Sequence, residues 1–460
     1  MIKNIFIVII LLLLVLPCAS VAVEPPDQGE DVDLEASSAV AENAPAGRAD
    51  YLVAPGLVAD FKNRLSPAKE SLKSLPPERR GRLSATGSPK ILVLLIDFDE
   101  YPHKAQDTPE AMYARIFLSG ASQFPYESLP AFYRRSSYGK LNISGDVLGW
   151  YNAGRRADVA KGMEGREQLI KKVLRNYPKH DFSQYDNDHD GVMDYIVFIW
   201  TGPTGRGSSF WRAIHAKFSD EKFESGGKRL RHYAWLYAYE DWKDPQPESM
   251  LQPLIHETGH VLGLPDYYDL DPKAGPNGGL GLFDMMDSGA FDHNCFSKFL
   301  LGWTKPKVAD AGDFKLRPAG EAADCVLVAP ANWNKDPFSE FFLVENRRKT
   351  GNDTDTHFPG NGGLVVWHVD ARLNDDGTDF LYNNSTTEHK LLKLLEADGR
   401  EHIETAPPPA IIEQDDFYSG DSSLTAETKP SSRRYDGTYT GINLLSKGGN
   451  YEAAFSVIRR

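Results

Sequence analysis

The amino-acid sequence predicts an α+β domain over residues 89–304, followed by an all-β sandwich domain over residues 305–460. Strand and helix signals alternate from Lys90 to Trp303, which is typical of a domain that mixes both elements. After Trp303, short segments of alternating apolar and polar residues are separated by turn residues, which indicates an all-β domain. At 460 residues the chain is long enough for several domains and a sizeable core.

The N-terminal segment has the layout of a cleavable secretion signal. Lys3 precedes an apolar run from Ile5 to Leu16, and small residues follow as far as Ala22. The run is short for a membrane span. We therefore expect a signal peptide over 1–22, a secreted (extracellular) protein and no stable membrane insertion after signal removal. An uncleaved membrane anchor is the alternative.

Residues 23–88 differ in composition from the rest of the chain. An acidic, Pro-rich stretch is followed by a basic one that carries Arg79, Arg80 and Arg82, a plausible cleavage zone. We expect a pro-segment, which would make the chain a zymogen, with a solvated linker as the alternative.

The overall composition is that of an ordinary soluble protein, with 41% hydrophobic and 25% charged residues. The net charge of −14 argues against a nucleic-acid partner and favours divalent cations. Three cysteines are too few for a disulfide scaffold, although Cys295 and Cys325 can either form one bridge or remain buried thiols. We expect a monomer.

Local patterns predict the individual elements in chain order. A buried strand opens at Lys90 with "KILVLLIDF", and "LPAFYRRSS" reads as a helix that ends in a turn at Tyr138 and Gly139. The segment 165–177 has apolar residues at the helical period, and "DYIVFIW" is another strong strand. Four β-domain strands are predicted in "DCVLVAP", "EFFLVENR", "GGLVVWHVD" and "YEAAFSVI".

The segment "HETGHVLGLPD" has the spacing of a zinc-binding helix. His256 and His260 lie one helical turn apart, so both imidazoles can reach one zinc ion. Glu257 lies beside the first histidine, where its carboxylate can act as the general base for a zinc-activated water. Gly263 permits a sharp turn that brings Asp266 back towards the metal.

The sequence also indicates the type of third ligand. The first glutamate after Glu257 is Glu321, beyond the predicted domain boundary, which argues against a glutamate ligand. Among the aspartates, Asp266 has the spacing of the long zinc motif. The remaining rivals are Asp269, Asp271, Asp284, Asp287 and Asp292.

Two further motifs bear on metal binding. The Gly-flanked pair in "GLFDMMDSGAF" indicates a methionine turn beneath the zinc ligands, with Met286 favoured over Met285, whereas simple core packing is the alternative. The segment "DNDHDGVMD" matches the first nine positions of a calcium loop, followed by a strand instead of a helix. Its predicted Ca²⁺ ligands are Asp186, Asp188, Asp190, Val192 and Asp194.

Several of these segments together resemble the immune inhibitor A-like secreted metalloproteases, peptidase family M6 in the metzincin group. The matching motifs include "FSQYDNDHDGVMDYIVF", "HETGHVLGLPDYYD", "GLGLFDMMDSGAF" and "GGLVVWHVD". The resemblance implies a zincin/metzincin-like catalytic domain, a following β-sandwich, and endopeptidase activity on protein or peptide substrates. It assigns Zn²⁺ to His256, His260 and Asp266, with Glu257 as general base and Met286 in the methionine turn.

The resemblance also leaves some roles open. The stretch "WRAIHAKFS" suggests His215 as a substrate-pocket residue, with a purely structural histidine as the alternative. The family's usual Trp-Asp-Leu before the turn methionine is replaced by Phe283, Asp284 and Met285. A zinc hydrolase of non-peptide substrates and a calcium-stabilised secreted binding or adhesion protein remain alternative functions.

Overall fold

A computed structural model describes residues 83–460 except 119–125, 206–209, 270, 272, 274–278, 288, 290, 355–357, 376, 378 and 407–409. The predicted signal peptide and residues 23–82 of the predicted pro-segment lie outside this part. The α-helices among the described residues are α1 Pro109–Phe117, α2 Leu129–Ser136, α3 Gly162–Arg175, α4 Leu251–Leu262, α5 Cys295–Leu300 and α6 His402–Thr405.

The strands alternate with these helices in the first half and dominate the second half of the described chain. They are β1 Lys90–Asp97, β2 Ser144–Asn152, β3 Val192–Met193, β4 Ile196–Trp200, β5 Ile214–Lys217, β6 Glu224–Ser225, β7 Lys228–Leu230, β8 His232–Tyr237, β9 Lys307–Ala309, β10 Gly312–Leu316, β11 Val326–Val328, β12 Glu340–Arg347, β13 Gly363–Asp370, β14 Leu392–Leu394, β15 Ser423–Leu424, β16 Ile442–Gly448 and β17 Ala453–Arg459. The fold is thus mixed α/β with several sheets and few helices, and the predicted strands and helices are confirmed as elements.

The N-terminal half is organised around a five-stranded sheet in the order β2-β1-β4-β8-β5. Four strands run parallel, while the edge strand β5 pairs antiparallel with β8. Strands β3, β7 and β6 form a separate three-stranded sheet in the order β3-β7-β6. Because side chains alternate along a strand, β1 directs Leu92 and Leu94 to one apolar cluster, shared with α3, and Ile91 and Val93 to another, shared with α4.

The C-terminal half contains two sheets, β14-β13-β12-β11-β9 and β10-β17-β16-β15. Strand β12 contributes Phe342 and Val344 to a cluster that also contains residues of the second sheet. Its alternate residues Phe341 and Leu343 belong instead to the cluster that contains α4. One hydrophobic cluster therefore extends across the sequence-predicted boundary near residue 305.

Buried charges also join the two halves of the chain. The ammonium of Lys298 in α5 lies 2.6 Å from Oδ2 of Asp292, and both side chains are almost fully buried. Arg347 at the end of β12 makes a bidentate contact with Asp353 and donates to the backbone carbonyl of Asp292. These contacts anchor the segment after the zinc-motif helix to the C-terminal strands.

The last residues of the predicted pro-segment contact the fold. Leu83 is buried, the carbonyl of Ala85 accepts a hydrogen bond from Nε1 of Trp303, and Gly87 pairs with the segment before β2. Over the described residues, none of the helices combines the length and the apolar character needed to cross a membrane.

Candidate metal centre

The zinc motif lies on α4, a buried helix in the centre of the molecule's first half. Leu254, Ile255 and Val261 are fully buried, so apolar packing fixes the helix on both sides of the polar residues. The helix ends at Gly263, whose φ of 110° is the left-handed conformation that a C-terminal cap requires.

The two histidines converge on one point. Nδ1 of His256 donates to the carbonyl of Met285 at 2.8 Å, and Nδ1 of His260 donates to the carbonyl of Leu264 at 2.9 Å. These bonds place the proton on Nδ1 in the neutral rings, so the Nε2 atoms are the ones that would bind a metal. The Nε2 atoms lie 3.1 Å and 3.2 Å from the same oxygen, Oδ1 of Asp266.

Asp266 reaches this point through the turn at Gly263. The amide of Leu264 donates back to the carbonyl of Gly259, and the amide of Tyr267 donates to the carbonyl of Met286. Oδ1 of Asp266 is buried and has no hydrogen-bond partner among the described residues. Zinc bonds of about 2.0–2.2 Å separate ligand atoms by roughly 3.3 Å in a tetrahedral site, so the three residues fit a zinc ion.

The electrostatics of the three residues are strongly coupled. Burial would raise the pKa of Asp266, but the two histidines outweigh it and hold this pKa well below its usual range. Burial would lower the pKa of His256, but Asp266 raises it to about 9. The group therefore attracts a positive charge to the point where its ligand atoms meet.

The other aspartates considered as third ligands are engaged elsewhere. Asp284 accepts from the amides of Met286 and Asn294, and Asp287 accepts from the amides of Leu280 and Leu282. Asp292 pairs with Lys298, as described above, while Asp269 and Asp271 accept backbone amides two residues further on.

Both methionines of the predicted turn contact the zinc-motif helix. They lie in a single 3₁₀ turn, Met285–Asp287. The carbonyl of Met285 orients His256, while the sulfur of Met286 lies against Gly259 between the two histidines. A β-carbon at Gly259 would be 2.4 Å from this sulfur, so the residue must be a glycine for this packing.

Glu257 and His215 lie close to His256, His260 and Asp266. Burial raises the pKa of Glu257, against the opposing effect of His256 and His260, and the backbone amide of His215 donates to this carboxylate. The ring of His215, on edge strand β5, lies 6.0 Å from the ring of His260, and its Nε2 is 3.1 Å from Nδ1 of His232.

Tyr268 is a neighbour of the site that the sequence interpretation missed. Its ring stacks on that of His256 with centroids 6.0 Å apart, and its hydroxyl hydrogen-bonds to Asp266. Burial, Asp266 and Glu257 all raise the pKa of this phenol. Tyr268 lies two residues after Asp266 in the segment "PDYYD".

Comparison with known proteins finds relatives that cover part of the chain. Immune inhibitor A of Bacillus thuringiensis subsp. alesti is 26% identical over 233 residues, which span 40% of this chain and 34% of the relative. Pre-pro-metalloprotease PrtV of two Vibrio cholerae O1 strains is 23% identical over 268 residues, 44% of this chain and 27% of the relative. The resemblance to the immune inhibitor A-like metalloproteases is confirmed.

The matched part spans about a third or less of the length of these curated relatives. No protein-family profile matches the chain. The immune inhibitor A-like resemblance therefore concerns a shared region, and the metal that a metalloprotease implies is consistent with the three ligand-type residues at the end of α4.

The predicted calcium loop is only partly assembled around one point. Carboxylate oxygens of Asp186, Asp188 and Asp190 lie close enough to share an ion. Asp194 instead accepts from the amide and side chain of Asn187 through Oδ2, while its Oδ1 is buried without a hydrogen-bond partner in the described structure.

Two further contacts complete this loop. The amide of Val192 donates to Asp190, which fixes the tight turn at Gly191. The ammonium of Lys228 lies 2.6 Å from Oδ2 of Asp186 and balances part of the negative charge. The sequence interpretation did not foresee this lysine.

Proposed function

We propose that this chain is a secreted zinc-dependent endopeptidase that hydrolyses peptide bonds in proteins. The observation that carries this proposal is the convergence of His256, His260 and Asp266 on one point, with Glu257 beside it. The metalloprotease relatives support the same activity. When bound, zinc supplies a Lewis acid that activates water and polarises a peptide carbonyl.

The protein side chains carry the proton transfers in this mechanism. Glu257 accepts a proton from the attacking water and passes it to the leaving amine. Its burial favours the protonated form and raises its pKa, while the neighbouring histidines oppose this shift by favouring the carboxylate. The backbone amide of His215 orients this carboxylate from edge strand β5.

Other residues hold the ligands in position. The carbonyls of Met285 and Leu264 fix the two imidazole rings, and the hydroxyl of Tyr268 fixes Asp266. Such outer contacts orient metal ligands and tune their basicity. His215 also lies near enough to the site to line a substrate pocket, which is the role we propose for it.

The finer architectural assignment belongs to the same proposal. We assign residues 89–304 to a zincin/metzincin-like catalytic domain, supported by the sheet with an antiparallel edge strand beside α4. We assign residues 305–460 to a β-sandwich, supported by the apolar cluster that its two sheets share. A signal peptide, a pro-segment and a structural Ca²⁺ ion in the loop Asp186–Asp194 complete the proposed organisation.

Casein degradation by the purified chain tests this function. We expect degradation that stops after zinc is removed with a chelator and returns when Zn²⁺ is added back. Degradation that persists in zinc-free protein would contradict the proposed role of the metal. Hydrolysis of small esters without any cleavage of casein would favour a hydrolase of non-peptide substrates.

A further inference from the structure

Away from the zinc-motif helix, three ligand-type side chains meet between β14 and β15. Glu396 follows β14, His402 begins α6, and Asp416 ends a 3₁₀ turn at Gln414–Asp416. One potential ligand atom from each lies within 4.8 Å of the others. Glu396 and Asp416 are only 2% and 1% exposed, so two carboxylates are buried side by side. Burying such a pair is costly unless positive charge accompanies it.

The hydrogen bonds of His402 leave a lone pair facing these carboxylates. Its Nε2 lies 2.9 Å from the carbonyl oxygen of Ile411. Because a carbonyl oxygen only accepts hydrogen bonds, Nε2 must carry a proton and donate it. In the neutral ring the proton is therefore on Nε2, and Nδ1 carries the lone pair. Nδ1 lies 2.7 Å from Oε2 of Glu396 and 3.8 Å from Oδ1 of Asp416, yet neither contact is aligned as a hydrogen bond.

Asp416 gives a second, independent indication of a ligand. Its Oδ2 accepts the amide of Glu413, but its Oδ1 is buried and has no hydrogen-bond partner among the described residues. Buried carboxylate oxygens normally have a partner, so an oxygen without one indicates an ion or other group at that point. This oxygen is directed at the same space as Nδ1 of His402.

We propose that Glu396, His402 and Asp416 form a second zinc-type divalent cation site, separate from the one on α4. An imidazole nitrogen with two carboxylates suits zinc and similar transition metals, whereas Ca²⁺ and Mg²⁺ prefer oxygen ligands alone. Ligand atoms around zinc lie roughly 3.3 Å apart, so the 2.7 Å contact opens slightly and the 3.8 Å contact closes.

This site is connected to the loop that leads into the methionine turn. The amide of Ile412 donates to the carbonyl of Gly281, and a β-carbon at Gly281 would be 2.8 Å from a methyl carbon of Ile403. A cation bound by Glu396, His402 and Asp416 would therefore hold α6 and the chain at Ile412 against the Gly281 loop. The same loop is also held by Asp287, which accepts hydrogen bonds from the amides of Leu280 and Leu282.

Zinc content of the full-length chain tests the second site separately from the protease proposal. The test uses a background variant, His256→Ala with His260→Ala, in which the site on α4 cannot bind. Zn²⁺ alone is added, excess is removed by dialysis, and bound zinc is measured by mass spectrometry. We expect this background to retain one zinc ion per chain and to show a zinc-induced rise in melting temperature of a few degrees.

Matched variants then assign the ion to its ligands. Asp416→Asn and His402→Gln, each in the same background, should lose the bound zinc and the zinc-induced rise. Asp415→Asn should keep both, because that neighbouring side chain is 77% exposed. Circular dichroism checks that each variant folds. If Asp416→Asn does not fold, His402→Gln alone tests the site.

Three outcomes would overturn the second site. The first is a background variant that binds no zinc. This result requires no further substitution, and it does not depend on whether the chain cleaves proteins. The second is zinc binding that survives both ligand substitutions. The third is a melting temperature of the background variant that does not respond to Zn²⁺.

Discussion

The sulfur of Met286 packs directly against the backbone of Gly259, the residue just before His260 in the zinc-motif helix. The contact is so close that a β-carbon at Gly259 would lie 2.4 Å from this sulfur. One methionine thus supports the helix turn that carries His256 and His260, while the carbonyl of its neighbour Met285 orients the ring of His256.

Gly259→Ala should therefore destabilise the protein, although alanine is normally the better helix residue by about 1 kcal/mol. The added methyl group must displace Met286, and overpacking of this kind costs about 1–3 kcal/mol. We expect a lower free energy of unfolding in urea and weaker zinc binding. In a Met286→Ala background the same substitution should be neutral or stabilising, because the clash is gone. Equal destabilisation in both backgrounds would contradict this contact.

The choice of third ligand is tested by comparing two aspartates on the same segment. Asp266→Asn should weaken zinc binding at the α4 site by at least about 100-fold, since even outer contacts of metal ligands contribute 10- to 100-fold. Asp269→Asn is the matched control. The sequence also allows Asp269 as the third ligand, but in the structure its carboxylate accepts a hydrogen bond from the backbone amide of Asp271. Competition with a chromogenic chelator measures both affinities. If Asp269→Asn has the larger effect, Asp266 is not the ligand.

The parts of this site that were predictable from sequence depend on local geometry. The helical period fixes His256 and His260 on one face, and Gly263 marks the turn towards Asp266. Tyr268 was missed because only the folded chain shows that its ring stacks on His256. Lys228 and Asp186 are 42 residues apart, and no local pattern pairs them.

The C-terminal half illustrates the same distinction on a larger scale. The alternation of "EFFLVENR" predicts strand β12, but not that Phe341 and Leu343 pack into the cluster that contains α4. Similarly, Glu396, His402 and Asp416 are spread over 21 residues without a metal-motif spacing, so their proximity depends on the fold.

Calcium binding at the Asp186 loop should depend on pH through Asp194. Burial, together with Asp188 and Asp190, raises the pKa of Asp194 to about 7. A calcium ligand must be ionised, so the affinity should be about tenfold weaker at pH 6 than at pH 8. Asp194→Asn should remove this difference, as titration calorimetry at the two pH values would show. Equal affinities in the wild type would exclude Asp194 from the site.

The same pKa sets the sign of a stability effect. Asp194 binds its proton more tightly in the folded than in the unfolded chain. Without calcium, the folded state is therefore destabilised as the pH rises from about 4 to about 7. Added Ca²⁺ should restore the lost stability at the upper end of this range.

The buried pair Lys298 and Asp292 should tolerate the loss of both charges better than the loss of Lys298 alone. Lys298→Met leaves Asp292 buried without its 2.6 Å partner, and breaking a buried pair in this way costs about 3–5 kcal/mol. The double variant with Asp292→Asn removes the stranded charge and should recover part of the loss. Urea unfolding of the two variants measures this, and a double variant less stable than Lys298→Met would contradict it.

The central claim is that Glu257 is the general base at a zinc site formed by His256, His260 and Asp266. It is tested most directly by Glu257→Gln, with casein cleavage and bound zinc measured on the same preparation as the wild type. We predict that the variant retains its zinc at the α4 site while kcat/KM falls by about 100- to 10,000-fold. Cleavage equal to that of the wild type, with zinc retained, would contradict the account.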